Sequence, residues 1–382
     1  MRIVQLVANL EIGGLERLAV NLARAQKVAG HSPILYCLGQ RGAFADEAES
    51  YGVPVVAFHK GPGMSPGTVL RIARQLRQDR PNVLHGHNHL VHHYAVSAGR
   101  LAGVPVIVNT RHGQEVQILE KADGSGYYLN TASPDRKADQ IFRAMLPWTD
   151  ALIFISEDTR RFFIQHRGIP PARTHVILNG APLDPFLAKP AAPGSQRPLF
   201  RFGTAGRMVL AKDYLLLVEA FAIVARQCPE ARLQFAGSGP QRERIEKRIG
   251  QLDLGSRVTL HGPVFDMPGY MQGLDAFVLS SISEGLPIVI LEAMAAGLPI
   301  VSTRVAGVPE AAPEGTVARY APTGDAPALA AAMLATAADP DLVQLGQNGR
   351  LLAQTRFTIE HTWKEHEKLF ESLLLSKTGK AA

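Results

Sequence analysis

The sequence predicts an α/β protein made of two doubly wound parallel-sheet domains. Short apolar or β-branched runs alternate with longer amphipathic stretches along most of the 382 residues. Several of these runs are apolar almost throughout, as strands covered on both faces must be. The alternation stops once, over 180–198, and then restarts. At about 100–200 residues per domain the length also suggests two domains.

In the first half the strand-like runs are Arg2–Ala8, Ile34–Leu38, Val53–Phe58, Asn82–Gly86, Val104–Thr110, Ala151–Ser156 and Thr174–Leu178. Helical stretches such as Gly14–Ala29, Val69–Gln78 and Tyr94–Leu101 lie between them. Residues 180–198 carry Pro182, Pro185, Pro190, Pro193 and Pro198, a density of breakers that predicts an irregular linker. The second series is Phe200–Ala205, Arg232–Ala236, Arg257–Leu260, Ala276–Leu279 and Pro299–Thr303, with a helix over Tyr214–Gln227. A long final helix, Thr358–Leu375, carries apolar Trp363, Leu369, Phe370, Leu373 and Leu374. Both halves therefore read as Rossmann-like domains. Ligands bind such sheets at the carboxyl ends of the strands, so two facing edges predict a cleft for small molecules.

Composition narrows the function. Hydrophobic residues at 46% and charged residues at 19% fit a chain with a large core and exclude wholesale disorder. The net charge of +6 is too mild to mark a nucleic-acid binder. Residues 1–185 carry net +5 and ten of the 13 histidines, so the first domain is expected to meet an anionic partner. Cys37 and Cys228 stand far apart and suggest neither a disulfide framework nor a zinc site. No apolar stretch of about 20 residues predicts a spanning helix, and the start reads as a strand and loop, not a secretory signal. The expected location is cytoplasmic, with contact to a membrane surface left open.

Four segments carry candidate chemistry. The first is Ser283 to Pro299, which follows a strand and opens an apolar helix. Its helix N-terminus suits a phosphate. Glu284 in the loop could take hydrogen bonds from sugar hydroxyls, and Glu292 along the helix could reach a ribose diol. Taken alone, Glu284 reads equally as a helix-start acid favoured by the dipole. The second is Gly203 to Asp213, where Gly206 permits a sharp turn and Arg207 and Lys212 supply two cations for a diphosphate. The competing reading is two surface cations beside a turn.

The third is Gly13-Gly14-Leu15-Glu16, between the first strand and helix. It lacks the G-x-G-x-x-G fingerprint, which disfavours an NAD-dependent oxidoreductase. It either admits a ligand close to the backbone or is simply a tight connection. The fourth is histidine. His112 follows a strand end and could donate to a sugar hydroxyl or shuttle a proton, or be structural. His85, His87, His89, His92 and His93 span a strand end and loop. Their spacing invites a zinc hypothesis, but no ligand frame accompanies it. A polar lining, with His87 nearest the opening, is preferred and no metal site is assigned. Arg71, Arg74, Arg77 and Arg80, with Leu70, Ile72 and Leu76, make a basic amphipathic helix that reads as a solvated face or as a support on anionic lipid.

Together these segments resemble the retaining family-four glycosyltransferases of the GT-B fold, along nearly the whole chain. Gly13-Gly14-x-Glu16 is similar to the family's first glycine loop, and Asn179-Gly180 to the pair closing its first domain. Gly206-Arg207 with Lys212 resembles its diphosphate site, and Gly237-Ser238-Gly239-Pro240 its second glycine turn. Glu284 to Glu292 matches its Glu-x7-Glu motif, with the tail Glu-Ala-Met-Ala-Ala-Gly-x-Pro. Phe357 and the final helix resemble the segment that crosses back to the first domain. Asp213, where glycine is frequent, and Met208, where leucine is, depart from the pattern.

The resemblance implies an acceptor-binding domain over 1–185, joined by a helix over about 358–382, and a nucleotide-sugar domain over 186–357. It implies His112, Arg207, Lys212 and Glu284 as the catalytic set. It places the donor against Gly14, Arg207, Lys212, Gly285, Leu286, Ile288, Val289 and Glu292. The base falls near Gly262–Phe265, and the acceptor side near Gly13, Glu16 and His87. The implied reaction moves a sugar, with retention, from a nucleoside-diphosphate sugar to a saccharide or lipid-linked acceptor. It needs neither cofactor nor metal and serves surface polysaccharide or glycolipid assembly. A sugar-nucleotide epimerase of the same fold and a non-catalytic sugar-nucleotide binder are the alternatives.

Overall fold

A computed structural model describes residues 1–114, 116–120, 127–132, 135–190 and 199–379. The elements run β1 (Arg2–Val7), α1 (Gly14–Val28), β2 (Ser32–Cys37), α2 (Ala45–Ser50), β3 (Val55–Ala57), α3 (Pro66–Asp79), β4 (Val83–His87), α4 (Asn88–Ala102) and β5 (Val106–Arg111). Then come β6 (Gln117–Glu120), β7 (Tyr127–Asn130), α5 (Arg136–Met145), β8 (Ala151–Phe154), α6 (Glu157–Arg167), β9 (Thr174–Val176) and α7 (Asp184–Leu187). The second series is β10 (Phe200–Ala205), α8 (Tyr214–Gln227), β11 (Ala231–Ala236), α9 (Arg242–Gln251), β12 (Val258–Leu260), α10 (Met267–Gln272), β13 (Ala276–Leu279) and α11 (Ile288–Ala295). It ends with β14 (Ile300–Thr303), α12 (Val308–Ala311), β15 (Ala318–Ala321), α13 (Ala326–Ala337), α14 (Leu342–Arg356) and α15 (Ile359–Thr378).

The chain forms two compact units. The first comprises 1–114, 133–181 and 359–382; the second comprises 115–132 and 182–358. The division falls a few residues before the expected 185/186. The hairpin β6–β7, absent from the sequence reading, groups with the second unit and not the first. Arg244 on α9 accounts for that: it donates to Tyr127 Oη at 2.8 Å and to Glu120 at 3.2 Å.

The first unit holds a parallel seven-stranded sheet in the order β3-β2-β1-β4-β5-β8-β9. Its strands are the seven expected ones. Val4, Leu6, Leu84 and Ile107 are fully buried and pack with Ile72, Leu76, Val91 and Ala95 from α3 and α4. Helix starts follow capping chemistry: Ser65 accepts from the Thr68 amide ahead of Pro66, and Ser156 from the Thr159 amide. α15 closes this unit. Thr362 Oγ1 donates to the Leu178 carbonyl at 3.0 Å, and Trp363, Phe370 and Leu374 are buried.

The second unit holds a parallel six-stranded sheet in the order β12-β11-β10-β13-β14-β15. β15 was not expected, because Ala318-Arg319-Tyr320-Ala321 carries little of the apolar run that marks a central strand, and it lies at the sheet edge. α8 matches its expected span and buries Leu217, Val218, Phe221 and Val224 against Phe202, Leu233 and Val278.

Three expectations change. The proline-rich 180–198 stretch carries one helical turn, α7, because Pro185 stands in its first turn, where no amide is needed; residues 191–198 lie outside those described. α4 begins at Asn88, so His89, His92 and His93 sit on a helix instead of a loop. On α3, Ile72 and Leu76 are buried but Leu70 is 61% exposed beside the arginines.

Candidate functional site

In an open parallel sheet the ligand crevice opens where the strand order reverses. In the second unit that point lies between β10 and β13, which pair directly. The loops leaving these two strands carry Gly206-Arg207 and Ser280 to Glu284. They are stitched together: the Ile282 amide donates to the Ala211 carbonyl at 2.8 Å, and Ser280 Oγ to the Lys212 carbonyl at 2.8 Å. Lys212 Nζ donates to Glu284 Oε1 at 2.6 Å, and Ser281 Oγ donates to the same oxygen at 2.7 Å. Both side chains of the ion pair are mostly covered. Lys212 also lies over Gly206, its Nζ 3.9 Å from the place a Cβ would occupy. Arg207 is exposed next to it. The structure thus brings Gly206, Lys212 and Glu284 together, with Arg207 adjoining.

The glycine turn after β11 supports this loop by backbone contact. The Met208 amide donates to the Ser238 carbonyl at 2.9 Å, and the Gln241 amide to the Met208 carbonyl at 3.0 Å. A Cβ on Gly237 would overlap the Gly206 carbonyl oxygen, and Gly237 has φ +132°. A side chain there would push the cation-bearing loop out of place.

α11 starts just after Glu284. Pro287 is its N-cap, so the first helical amides are those of Ile288 and Val289. Those amides have no intrahelical acceptor and carry the positive end of the helix dipole. Gly285 and Leu286 are buried, and Glu292 stands half-buried one turn along. Asp213 answers the departure noted in the sequence. It occupies the left-handed region at φ +42°, where glycine is easiest, and its carboxylate accepts from the Leu216 amide to cap α8. Burial pushes the Asp213 carboxyl up to about 6.

The first unit repeats the arrangement. Its order reverses between β1, which is followed by Gly13-Gly14, and β4, which ends on His87. α1 begins at Gly14, and the Glu16 carboxylate folds back on Gly13. Burial pushes the Glu16 carboxyl upward. His87 is not at an opening: it is 3% exposed, and His112, which is partly buried, caps it. Their rings stack with centroids 5.2 Å apart, and His87 Nδ1 is 2.9 Å from His112 Nε2. His87 Nε2 bonds Gln5 Oε1 at 3.1 Å, and His85 Nε2 bonds Thr110 Oγ1 at 2.7 Å. These bonds occupy both ring nitrogens of His87, the histidine at the centre of the cluster. No set of three metal-ligating side chains occurs among the described residues.

Sequence reasoning missed Ser280 and Ser281, which hold the Lys212–Glu284 pair, and Gln5 behind His87. The serines did carry a signal, since they follow the strand directly, four and three residues before Glu284. Gln5 had one too, as a lone amide inside the apolar run of β1.

Two family models cover most of the chain: Glycosyltransferase Family 4 matches residues 12–185, and Glycosyl transferases group 1 matches residues 200–339. The chain belongs to this glycosyltransferase family. It is 29% identical over 263 residues to a phosphatidylinositol N-acetylglucosaminyltransferase component of Arabidopsis thaliana, covering 68% of this chain and 55% of that one. It is 26% identical over 249 residues to an Escherichia coli UDP-Gal:alpha-D-GlcNAc-diphosphoundecaprenol alpha-1,3-galactosyltransferase, covering 63% and 62%. The chain thus spans somewhat more than half the length of these relatives. Its fold matches that of Anabaena HepE, solved with UDP, at a TM-score of 0.81 and 20% identity, over 97% of this chain and all of the other. A Rickettsia africae glycosyltransferase gives 0.80 at 17%, over 98% of both chains. Both are GT-B folds in the sense expected from the sequence.

Proposed function

We propose that this glycosyltransferase moves a sugar, with retention and without a metal, from a nucleoside-diphosphate sugar to a saccharide or lipid-linked acceptor. The observation that carries the reading is the Lys212–Glu284 pair at 2.6 Å, set at the reversal point of the second sheet ahead of the α11 N-terminus. Arg207, Lys212 and the amides of Ile288 and Val289 would neutralise a diphosphate. When phosphate takes Lys212, Glu284 is released to accept hydrogen bonds from the sugar hydroxyls. Glu292 would hold the ribose, and Gly14 would let the donor approach the backbone of the first loop. Gly13 and Glu16 would face the acceptor.

The bond between the anomeric carbon and the phosphate oxygen breaks as the acceptor oxygen bonds to the same face of that carbon. The acceptor proton passes to the departing diphosphate. Fixed cations and helix amides stabilise the growing charge without reorganising, and holding both substrates supplies orientation. His112 would bond a substrate hydroxyl.

Surface polysaccharide or glycolipid assembly fits the relatives' names. The first unit supplies a basic face for lipid: Arg74 and Arg80 are exposed on and beside α3, with Leu70 and Met64 also exposed. Arg71 and Arg77 turn back to the Phe58 and Leu101 carbonyls and add less to it. No described helix is long and apolar enough to cross a membrane. We place the protein on the inner face of the cytoplasmic membrane as a peripheral enzyme.

The test incubates native protein with UDP-, GDP- and ADP-sugars, with and without membrane extract. Extract-dependent release of nucleoside diphosphate with label in a glycolipid or saccharide is expected. Release that needs no acceptor would show an epimerase instead. In sedimentation at low salt, the protein should follow anionic vesicles and ignore neutral ones; equal partition would contradict the membrane placement.

A further inference from the structure

The first unit contains a buried chain of hydrogen bonds that ends on His112. Gln26, on α1, and Gln5, on β1, are both fully buried. Gln5 Nε2 donates to Gln26 Oε1 at 3.0 Å, which leaves Gln5 Oε1 to accept from His87. With the Gln5 amide turned this way, His87 Nε2 carries the ring proton and His87 Nδ1 accepts. Its partner there is His112 Nε2, 2.9 Å away, which therefore carries the proton of that ring. The orientation of the Gln5 amide sets the polarity of every bond after it.

The backbone of His112 is held as well. Its amide donates to Asn88 Oδ1 at 3.1 Å. Asn88 adopts the left-handed region at φ +66°, and its own carbonyl accepts from Asn109 Nδ2 at 3.0 Å. Two neighbouring rings are bonded elsewhere: His85 to Thr110, and His366 through Nδ1–H to the Thr362 carbonyl at 2.8 Å. Burial first, then His366 and Arg111, push His112 down to about 3. The ring is neutral at physiological pH.

We propose that Gln26, Gln5 and His87 are positioning residues that lock His112 as the Nε2–H tautomer, leaving Nδ1 as its one bare acceptor for a substrate hydroxyl. The role toward substrate rests on the transferase reading above; the tautomer does not. His112 then serves as a neutral acceptor at the carboxyl edge of the first sheet, neither a cation nor a donor. A ring fixed by a neighbour in this way needs no reorganisation when substrate arrives.

The test uses full-length, ligand-free protein labelled with 15N-histidine, with long-range 1H–15N spectra at neutral pH and His112 assigned by its loss in His112→Ala. The native spectrum should show a protonated Nε2 and a bare Nδ1 at His112. Gln5→Met and His87→Phe remove the acceptors and should give a mixture of tautomers. Gln5→Glu should keep the native pattern. Its carboxylate can still accept from His87, and Gln26 can turn its amide nitrogen, which is buried without a partner, toward it. In turnover, Gln5→Met and His87→Phe should lower kcat about tenfold or more at unchanged KM for the sugar nucleotide, and Gln5→Glu should recover most of that loss. A native His112 protonated at Nδ1, or native tautomers retained in both Gln5→Met and His87→Phe, would overturn the proposal. Should a variant fail to fold, the native spectrum still decides. Absent transfer by native protein would sink the transferase reading and leave the tautomer result standing.

Discussion

Asp213 shows how one side chain can solve a backbone problem and create an electrostatic one. It caps α8 from a left-handed conformation, yet burial lifts its carboxyl from 3.8 to about 6. The native state therefore binds the proton more tightly than the unfolded chain. This contribution to stability is greatest below pH 3.8 and is lost as pH rises through about 6. Asp213→Asn keeps the oxygen that accepts from Leu216 and tolerates the same φ. It is expected to raise unfolding free energy by on the order of 1–3 kcal/mol at pH 8 and to change it little at pH 4. Urea unfolding at the two pH values reads this directly. Equal effects at both would show that the carboxylate is not strained by burial.

At the scale of elements, the cation-bearing loop after β10 depends on the turn after β11. Gly237→Ala would meet the Gly206 carbonyl and a φ of +132°, and should cost about 1–3 kcal/mol. Because the loop must move, diphosphate binding should weaken as well, measured by calorimetry on the folded variant. Binding unchanged by the substitution would separate the turn from the site. The sequence already located most of this unit. Central strands and α8 are apolar because both faces are covered, and Glu284 could be placed at a strand end from the run before it. The Lys212–Glu284 contact could not be read, since it depends on how two loops 72 residues apart are stitched. β15 and the β6–β7 hairpin escaped because their four-residue segments lack an apolar run. His87 was misplaced because strand–helix spacing gives its position along the chain but not the His112 ring stacked upon it.

Across the whole molecule, neutral buried histidines gather in the first unit. Burial and mutual repulsion hold His85, His87 and His92 well below the ordinary 6.5, and His366 falls to about 4. The unfolded chain takes up protons below pH 6.5 that the native unit refuses. Stability is complete above that pH and falls as pH drops toward 4, by on the order of 2 kcal/mol per buried histidine between pH 7.5 and 5. Trp148 and Trp363 both belong to the first unit, so tryptophan fluorescence follows it selectively. Its urea midpoint should drop over this range, and His366→Phe should flatten the dependence. A midpoint that does not move would mean the rings protonate in place.

Transfer requires a diphosphate gripped by the second unit. The direct measurement is the thermal shift produced by UDP, GDP and ADP in native protein and in Lys212→Met and Arg207→Ala, each compared with its own ligand-free baseline, since binding to the folded state alone raises its stability. At least one of these nucleotides should raise the native melting temperature and lose most of that increment in both variants. No increment with any of them, or an equal increment in Lys212→Met, would contradict the account.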